Sequence, residues 1–186
     1  MKQPIKKHKK IEKKSSNKIL IKNKNKYGTS KLEKKFAHEF LEPLGINYVY
    51  QYFASQIGRY YDFAIVSNSE KNLLFEEKNG LKSVKQEALS NRISMLIEID
   101  GSFYHADPRV IDENKLLPMH KKNKMVDGHK NEWALLHGIP IMRIWEYDIR
   151  NNPSGVMKAL KERLYIENEV QKKLNNKNKR HRNILK

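Results

Sequence analysis

Carboxylates stand inside two apolar, strand-like segments of this chain, where each of them needs a charged partner. Asp62 lies between Tyr61 and Phe63, in the middle of the first segment. Glu98 and Asp100 are two residues apart in the second segment, so their side chains point to the same face of a strand. Acids on neighbouring strands can hold a hard divalent cation against a phosphate. The pattern therefore predicts a metal centre that acts on phosphate esters, with pairing to Lys or Arg as the alternative.

Three residues outside these strands could complete such a centre. His105 follows Gly101 at the exit of the second segment, where it could act as a general base or simply cap a loop. Asp127 precedes Lys130 by one helical turn, so the two share a helix face and could equally form a surface ion pair. Glu33 is a further candidate acid, although a helix capping box would also explain it.

Arg143 lies in the last strand-like segment. It could reach a phosphate, or it could equally pair with Glu98 or Glu146. The side chains of Trp133 and Trp145 are predicted to lie in the core rather than in the site.

The elements that must position these residues follow from apolar periodicity and turn residues. Ser30 is a predicted N-cap that opens the first helix. Residues 67–92 are polar and predict either a hairpin extension or a short helix. The predicted order is a helix from Ser30, strands at 46–53, 60–66 and 93–100, a helix at 121–137, a strand at 139–145 and a terminal helix near Pro153. This order indicates a mixed α/β sandwich.

Positive charge is concentrated at the two ends of the chain. Residues 1–26 contain eleven Lys and one Glu and are predicted to be a disordered basic arm. Residues 171–186 contain seven Lys or Arg and no acid, and form a basic C-terminal tail. Residues 27–170, the predicted domain, contain 20 basic and 20 acidic residues. A neutral body with two basic arms is typical of a polyanion-binding protein, although solvated tails would have the same composition.

Composition excludes several classes of protein. The chain has 186 residues and no Cys, which excludes disulfides and Cys-based zinc sites. No apolar run approaches the roughly 20 residues that span a bilayer, and the first residues lack the apolar region of a secretory signal. We therefore expect no membrane partner and a cytoplasmic location.

Taken together, the motifs of residues 29–165 resemble the Vsr-like branch of the PD-(D/E)xK nuclease superfamily, which includes the EDxHD homing endonucleases. The segments that carry the resemblance are Ser30-Lys-Leu-Glu33, Gly45-Ile-Asn-Tyr48, Gln51 before Asp62, Glu98-Ile-Asp-Gly-Ser-Phe-Tyr-His105, Asp127 with Lys130, and Gly138-Ile-Pro-Ile-Met-Arg-Ile-Trp-Glu146.

The resemblance implies a restriction-endonuclease-like mixed β-sheet flanked by helices, with disordered basic tails. It implies a DNA endonuclease of a homing, mobile-element or phage type that uses Mg²⁺ or Mn²⁺ on double-stranded DNA and leaves a 5′-phosphate. The catalytic set that the resemblance implies is Glu33, Asp62, a residue in Ile99–Asp100, His105 and Asp127. With the strand acids included, the candidate catalytic residues are Glu33, Asp62, Glu98, Asp100, His105 and Asp127. The candidate metal ligands are Asp62, Glu98 and Asp100, and the sequence leaves open whether Glu98 or Asp100 is the main ligand beside Asp62. The third strand reads Glu-x-Asp where the superfamily usually has Glu-x-Lys, which favours His105 as the base.

Two alternatives remain open at the level of sequence. Glu76-Glu77-Lys78 contains a literal Glu-x-Lys motif downstream of Asp62, in a region that resembles an insertion rather than a central strand. The function could also be that of a non-catalytic nucleic-acid-binding protein that retains the nuclease fold, or of an RNA-processing nuclease.

Deleting both basic arms should weaken non-specific binding to duplex DNA, because the net charge of +17 lies entirely within them. The slope of log K against log[salt] should flatten by about 0.9 for each lost phosphate contact. Binding of residues 27–170 and of the full chain at several salt concentrations measures both slopes. Identical slopes would mean that the arms do not contact nucleic acid.

Overall fold

The computed structural model of the protein describes residues 31–67, 70–89 and 93–184. The helices are α1 (Lys31–Phe36), α2 (Pro118–Leu136), α3 (Glu146–Asn151) and α4 (Pro153–Ile184). The strands are β1 (Tyr48–Ala54), β2 (Arg59–Val66), β3 (Phe75–Lys78), β4 (Leu81–Val84), β5 (Ile93–Asp100) and β6 (Ile141–Trp145). A π-helical turn at Ala37–Leu41 and a 3₁₀ turn at Glu42–Leu44 follow α1.

A four-stranded mixed sheet with the order β1-β2-β5-β6 forms the centre of the fold. The pairs β1–β2 and β2–β5 are antiparallel, whereas β5 and β6 are parallel. A parallel pair needs a crossover connection, and α2 provides it. β3 and β4 form a separate hairpin, so the hairpin alternative for residues 67–92 is confirmed.

Both faces of the sheet are covered, which explains why β5 is apolar along most of its length. Alternate residues of β5 point to opposite faces. Met95, Ile97 and Ile99 pack in a core with residues of α1 and α4. Leu96 packs on the other face with Trp133 and Ala134 of α2. Glu98 and Asp100 continue the side of β5 that faces α2, so the crossover helix lies over the candidate acids.

The predicted mixed α/β class is confirmed, and β5 has the predicted bounds. α2 begins at Pro118, before the predicted residue 121, because proline suits the first position of a helix. α2 ends at Leu136, His137 is its C-cap, and Gly138 follows with a φ of +63°. β6 begins at Ile141, two residues later than predicted. Trp133 lies in the core, as predicted. Trp145, for which the same prediction is made, is only partly buried. The predicted Ser30 cap and the 1–26 arm lie outside the described residues.

The terminal helix α4 is longer than expected. Val156 and Leu160 anchor its first turns in the core, with Leu164 packed against them. The backbone remains helical to Ile184, so the expected disorder of the basic C-terminal tail is wrong for residues 171–184. Lys, Arg and Gln are good helix formers, and extending an anchored helix costs far less than starting one. None of the described helices is both long and apolar enough to cross a bilayer.

Replacing Phe63 by Ala should lower the free energy of unfolding by about 3–5 kcal/mol, the usual cost of removing a core phenylalanine. The Phe63 ring is fully buried and contacts the rings of Phe36, Tyr48 and Tyr50. Urea unfolding measures the loss. Phe53 is 37% exposed, so Phe53→Ala is the control and should cost about 1 kcal/mol or less. Equal losses would contradict the assignment of Phe63 to the core.

Candidate functional site

The carboxyl end of β5 is where charged side chains from four other parts of the chain converge. β5 itself contributes two acids that are almost completely buried, Glu98 at 4% and Asp100 at 3% exposure. The remaining members of this group, called the acidic cluster below, are Asp62 of β2, His105 of the loop after β5, Asp127 and Lys130 of α2, and Arg143 of β6. The fold therefore brings five of the six predicted catalytic residues together.

Glu98 is neutralised by Lys130 of α2, which is itself only 8% exposed. The Lys130 ammonium also lies 4.9 Å from the centre of the Tyr61 ring, and the Tyr61 hydroxyl donates to the Lys130 carbonyl at 2.6 Å. Burial and the nearby Asp62 charge raise the pKa of Glu98 well above its ordinary range, although Lys130 opposes the shift. Lys130 is thus a buried partner of β5 rather than half of a surface ion pair.

Asp62 lies where β2 and β5 separate. The last registered pair of these strands on this side is Phe63–Ile97. One oxygen of Asp62 accepts a hydrogen bond from the backbone N–H of Ile99 at 2.7 Å, so the carboxylate replaces a ladder carbonyl. Burial raises the pKa of Asp62, against the opposing effects of Lys130 and the Ile99 amide. A cation close to this carboxylate would offset the cost of burying its charge.

Arg143 joins Asp100 to Asp127. Its register partner across the parallel strands is Glu98, but its guanidinium reaches past that residue. Nη1 donates to both oxygens of Asp100, at 2.7 and 2.9 Å, and Nη2 donates to Asp127 at 3.0 Å. Nε donates to the Asn131 side chain at 3.2 Å. The predicted pairing of Arg143 with Glu98 or Glu146 is corrected accordingly.

His105 and Asp127 form a hydrogen-bonded pair with a defined direction. His105 Nδ1 lies 2.8 Å from one oxygen of Asp127 and 3.6 Å from the nearer oxygen of Asp100. Burial would raise the pKa of Asp127, but the His105 hydrogen bond and the Arg143 charge hold it below its ordinary value. The ionised carboxylate can only accept, so Nδ1–H donates. Neutral His105 then carries its lone pair on Nε2, as a general base requires.

The pKa of His105 is raised in the folded chain. Burial lowers the pKa, but the hydrogen bond to Asp127 and the charges of Asp100 and Asp127 outweigh that effect. The two aspartates therefore make the imidazole a stronger base than an isolated histidine.

Asp100, His105 and Asp127 could also hold a metal ion. One ligand atom from each lies within 4.8 Å of the others. Two carboxylates and an imidazole suit a divalent cation, and a three-ligand set leaves positions for water or a phosphate oxygen. Only Asp100 belongs both to this group and to the ligand set predicted from the sequence, which also includes Asp62 and Glu98.

The loop that carries His105 is fastened to the start of α3. Arg109 pairs with Asp107 at 2.8 Å and with Asp148 at 2.6 Å, and its guanidinium lies over the Tyr147 ring. The Ser102 hydroxyl accepts from the Tyr147 N–H at 3.1 Å. Our sequence reasoning missed this connection, for which the close spacing of Asp107 and Arg109 is the one local signal.

Glu33 reaches the fold from α1, which packs on the face of the sheet opposite α2. Its carboxylate accepts a hydrogen bond from the Tyr50 hydroxyl at 2.7 Å. The Gln51 amide donates to the same hydroxyl at 3.3 Å. The structure thus ties Glu33 to β1, and its place in the catalytic set stays a prediction.

The competing Glu-x-Lys motif lies in the β3–β4 hairpin rather than on the central sheet. Lys78 donates to the carbonyls of Tyr50 and Gln51, at 3.0 and 3.3 Å. Burial lowers the pKa of Lys78, against the charges of Glu76 and Glu87. These contacts fasten the hairpin to β1, which accounts for Lys78 without a catalytic role.

A cavity of about 450 Å³ opens elsewhere on the α2 side, near the start of β5 and the end of α2. Trp133, His137 and Tyr52 line it, together with Ser94. No carboxylate is among the described residues that line it, so it offers no ligands for a hard cation. Among the described residues, the acidic cluster is therefore the better candidate for binding a metal ion.

Comparisons of the chain with protein-family models, with curated proteins and with solved structures find no match.

In the metal-free protein, the pKa of His105 should lie above the ordinary histidine value of about 6.5. A raised pKa means that the protonated imidazole stabilises the fold below the unfolded-state pKa, and that this contribution is lost as pH rises through the folded-state pKa. Histidine NMR titration in EDTA measures the pKa. Asp127→Asn should lower it, whereas Asp112→Asn, on an exposed turn, should leave it unchanged. An unshifted pKa in Asp127→Asn would contradict the hydrogen-bonded pair.

Proposed function

We propose that the protein is a metal-dependent endonuclease of the Vsr-like kind, which hydrolyses phosphodiester bonds in double-stranded DNA. One observation carries the proposal: a directed His105–Asp127 pair forms, together with the buried Asp100, a group that could hold a divalent cation. A base, its orienting carboxylate and a metal-capable group are together the parts that phosphodiester hydrolysis needs.

The sheet supports this proposal. Asp62 and the Glu98/Asp100 pair lie on β2 and β5, the two central strands, and helices cover both faces. This arrangement agrees with the restriction-endonuclease-like sheet that the resemblance implies. The acids stand at the carboxyl end of β5, where a loop and a crossover helix can both supply further groups.

Asp100 and Asp127, with His105 nearby, are the residues that would hold Mg²⁺ or Mn²⁺, and Asp62 and Glu98 would add negative charge beside them. When bound, such an ion supplies a Lewis acid for the phosphoryl oxygen and lowers the pKa of a bound water. Carboxylate oxygens suit both ions. The raised pKa values of Asp62 and Glu98 mark a place where added positive charge is favourable.

His105 would accept the proton of the attacking water at Nε2. Asp127 fixes the tautomer through its hydrogen bond from Nδ1 and stabilises the imidazolium that forms. β5 reads Glu-x-Asp where the superfamily usually has Glu-x-Lys, so it lacks the usual lysine. The His105–Asp127 pair would supply a base in its place. Lys130 supplies the missing ammonium from α2, where it pairs with Glu98.

The internal ion pairs also favour a second candidate. Glu98 with Lys130 and Asp100 with Arg143 are what a purely structural network would contain. A non-catalytic nucleic-acid-binding protein with the same fold would keep these pairs, and the basic ends of the chain would serve either function. An RNA-processing nuclease would share the chemistry and differ in substrate.

The protein should nick or cut plasmid DNA in Mg²⁺ or Mn²⁺ and lose that activity in EDTA. Asp62→Ala should abolish cleavage with DNA binding largely retained, and Asp100→Asn should lower the rate by orders of magnitude. His105→Ala should lose at least about 10²-fold, the usual scale for general acid–base catalysis. Gel assays of cleavage, with parallel binding assays, measure each effect.

Glu76→Gln is the matched control for these substitutions, because it also removes one carboxylate but lies in the separate hairpin. It should cut at the parental rate. A full loss in Glu76→Gln with normal cleavage by Asp100→Asn would transfer the site to the hairpin motif. Binding without metal-dependent cleavage of DNA or RNA would favour the non-catalytic candidate.

A further inference from the structure

Arg143 occupies the carboxylates that the metal would need. Its Nη1 donates to both oxygens of Asp100, at 2.7 and 2.9 Å, and these oxygens are among those that would hold a cation. Its Nη2 lies against Asp127 at 3.0 Å. Two of the three residues that could hold a cation are therefore already paired with one guanidinium.

A divalent cation and this guanidinium would repel each other strongly at such short separations, because the surroundings are partly buried. Asp100 is only 3% exposed to solvent. Without some positive partner, its burial as a carboxylate would be costly. In the metal-free chain, Arg143 thus neutralises the carboxylates that a bound metal ion would otherwise neutralise.

We infer that Arg143 exchanges partners: it neutralises Asp100 and Asp127 in the metal-free chain, yields them to a divalent cation, and then binds the phosphodiester. The inference rests on the proposed function and adds a residue to it. Arginine suits both roles, because its planar fork matches carboxylate and phosphate oxygens alike.

The attachment of Arg143 is compatible with such an exchange. Nε is held separately by the Asn131 side chain of α2 at 3.2 Å, which leaves Nη1 and Nη2 as the groups that change partners. The side chain is 22% exposed, so the guanidinium already borders the solvent from which a phosphate would approach. Lys130, by contrast, is 10% exposed at its side chain and remains on Glu98.

The test measures metal affinity without substrate. Arg143→Gln should bind Mn²⁺ about tenfold more tightly than the parent chain, within the usual range of coupling between two sites. Isothermal titration calorimetry measures the affinity. Arg150→Gln is the matched control, because Arg150 also pairs with a carboxylate and its loss changes the charge equally. It should leave Mn²⁺ affinity unchanged. Equal or weaker Mn²⁺ binding by Arg143→Gln would overturn the exchange.

A second readout follows duplex DNA, in an Asp62→Asn background so that the duplex stays intact. Mn²⁺ should raise duplex affinity when Arg143 is present and should do so several-fold less with Arg143→Gln. An equal effect of Mn²⁺ in both chains would overturn the phosphate role. Should Arg143→Gln fail to fold, Arg143→Lys decides, since one ammonium cannot hold both carboxylates, and its Mn²⁺ affinity should exceed that of the parent.

The outcomes separate the two proposals. If neither parent nor variant binds Mn²⁺ at millimolar concentration, both the metal centre of the proposed function and the exchange fail. If the parent binds Mn²⁺ and cleaves DNA but Arg143→Gln binds it no more tightly, the endonuclease proposal stands and the exchange alone is wrong.

Discussion

The burial of carboxylates at the end of β5 is the constraint on which the rest of the structure depends. Glu98 and Asp100 are placed by strand alternation on a face that α2 covers, so neither can be solvated by water. A buried charge without a partner would cost several kcal/mol. α2 must therefore deliver Lys130, and β6 must deliver Arg143, to this one corner. The crossover helix is thus both the cover of the core and the source of the neutralising charge.

Asp127 is the residue that couples the parts of this corner. One of its oxygens accepts from Arg143 and the other from His105. The His105 hydrogen bond and the Arg143 charge both hold the pKa of Asp127 below its ordinary value, and the ionised Asp127 fixes the tautomer of His105. A group that withdraws Arg143 from Asp127 would therefore also alter the basicity of His105. The base and the cation site cannot be varied independently in this arrangement.

The position of each acid could be predicted from the sequence, but its partner could not. The positions of Asp62, Glu98 and Asp100 on strands can be predicted because strand alternation and local hydrophobicity depend only on neighbouring residues in the sequence. The partner of Arg143 depends on the reach of a long side chain and on where α2 crosses the sheet. The register of β5 and β6 places Arg143 opposite Glu98, but the guanidinium of Arg143 hydrogen-bonds Asp100 instead.

The dependence of a contact on the placement of distant elements also explains the other differences between the predicted and the observed structure. The link from Arg109 to Asp148 spans two elements whose relative placement only the fold determines. The polar composition of residues 171–184 predicts a disordered tail. The structure has a helix there, because a helix that Leu160 anchors in the core can extend through polar residues. In both cases the contact that fixes the structure, Arg109 with Asp148 or Leu160 with the core, joins residues that are distant in the sequence.

The balance of charge within the acidic cluster points to what is still needed there. Its four carboxylates face two permanent cations, Lys130 and Arg143, and one histidine that is neutral when it acts as a base. With every acid ionised, two positive charges are lacking. Burial is the main cause of the raised pKa values of Asp62 and Glu98, and the charges of the neighbouring acids add to both shifts. A single divalent cation would supply the missing charge, and proton uptake by the acids is the alternative response.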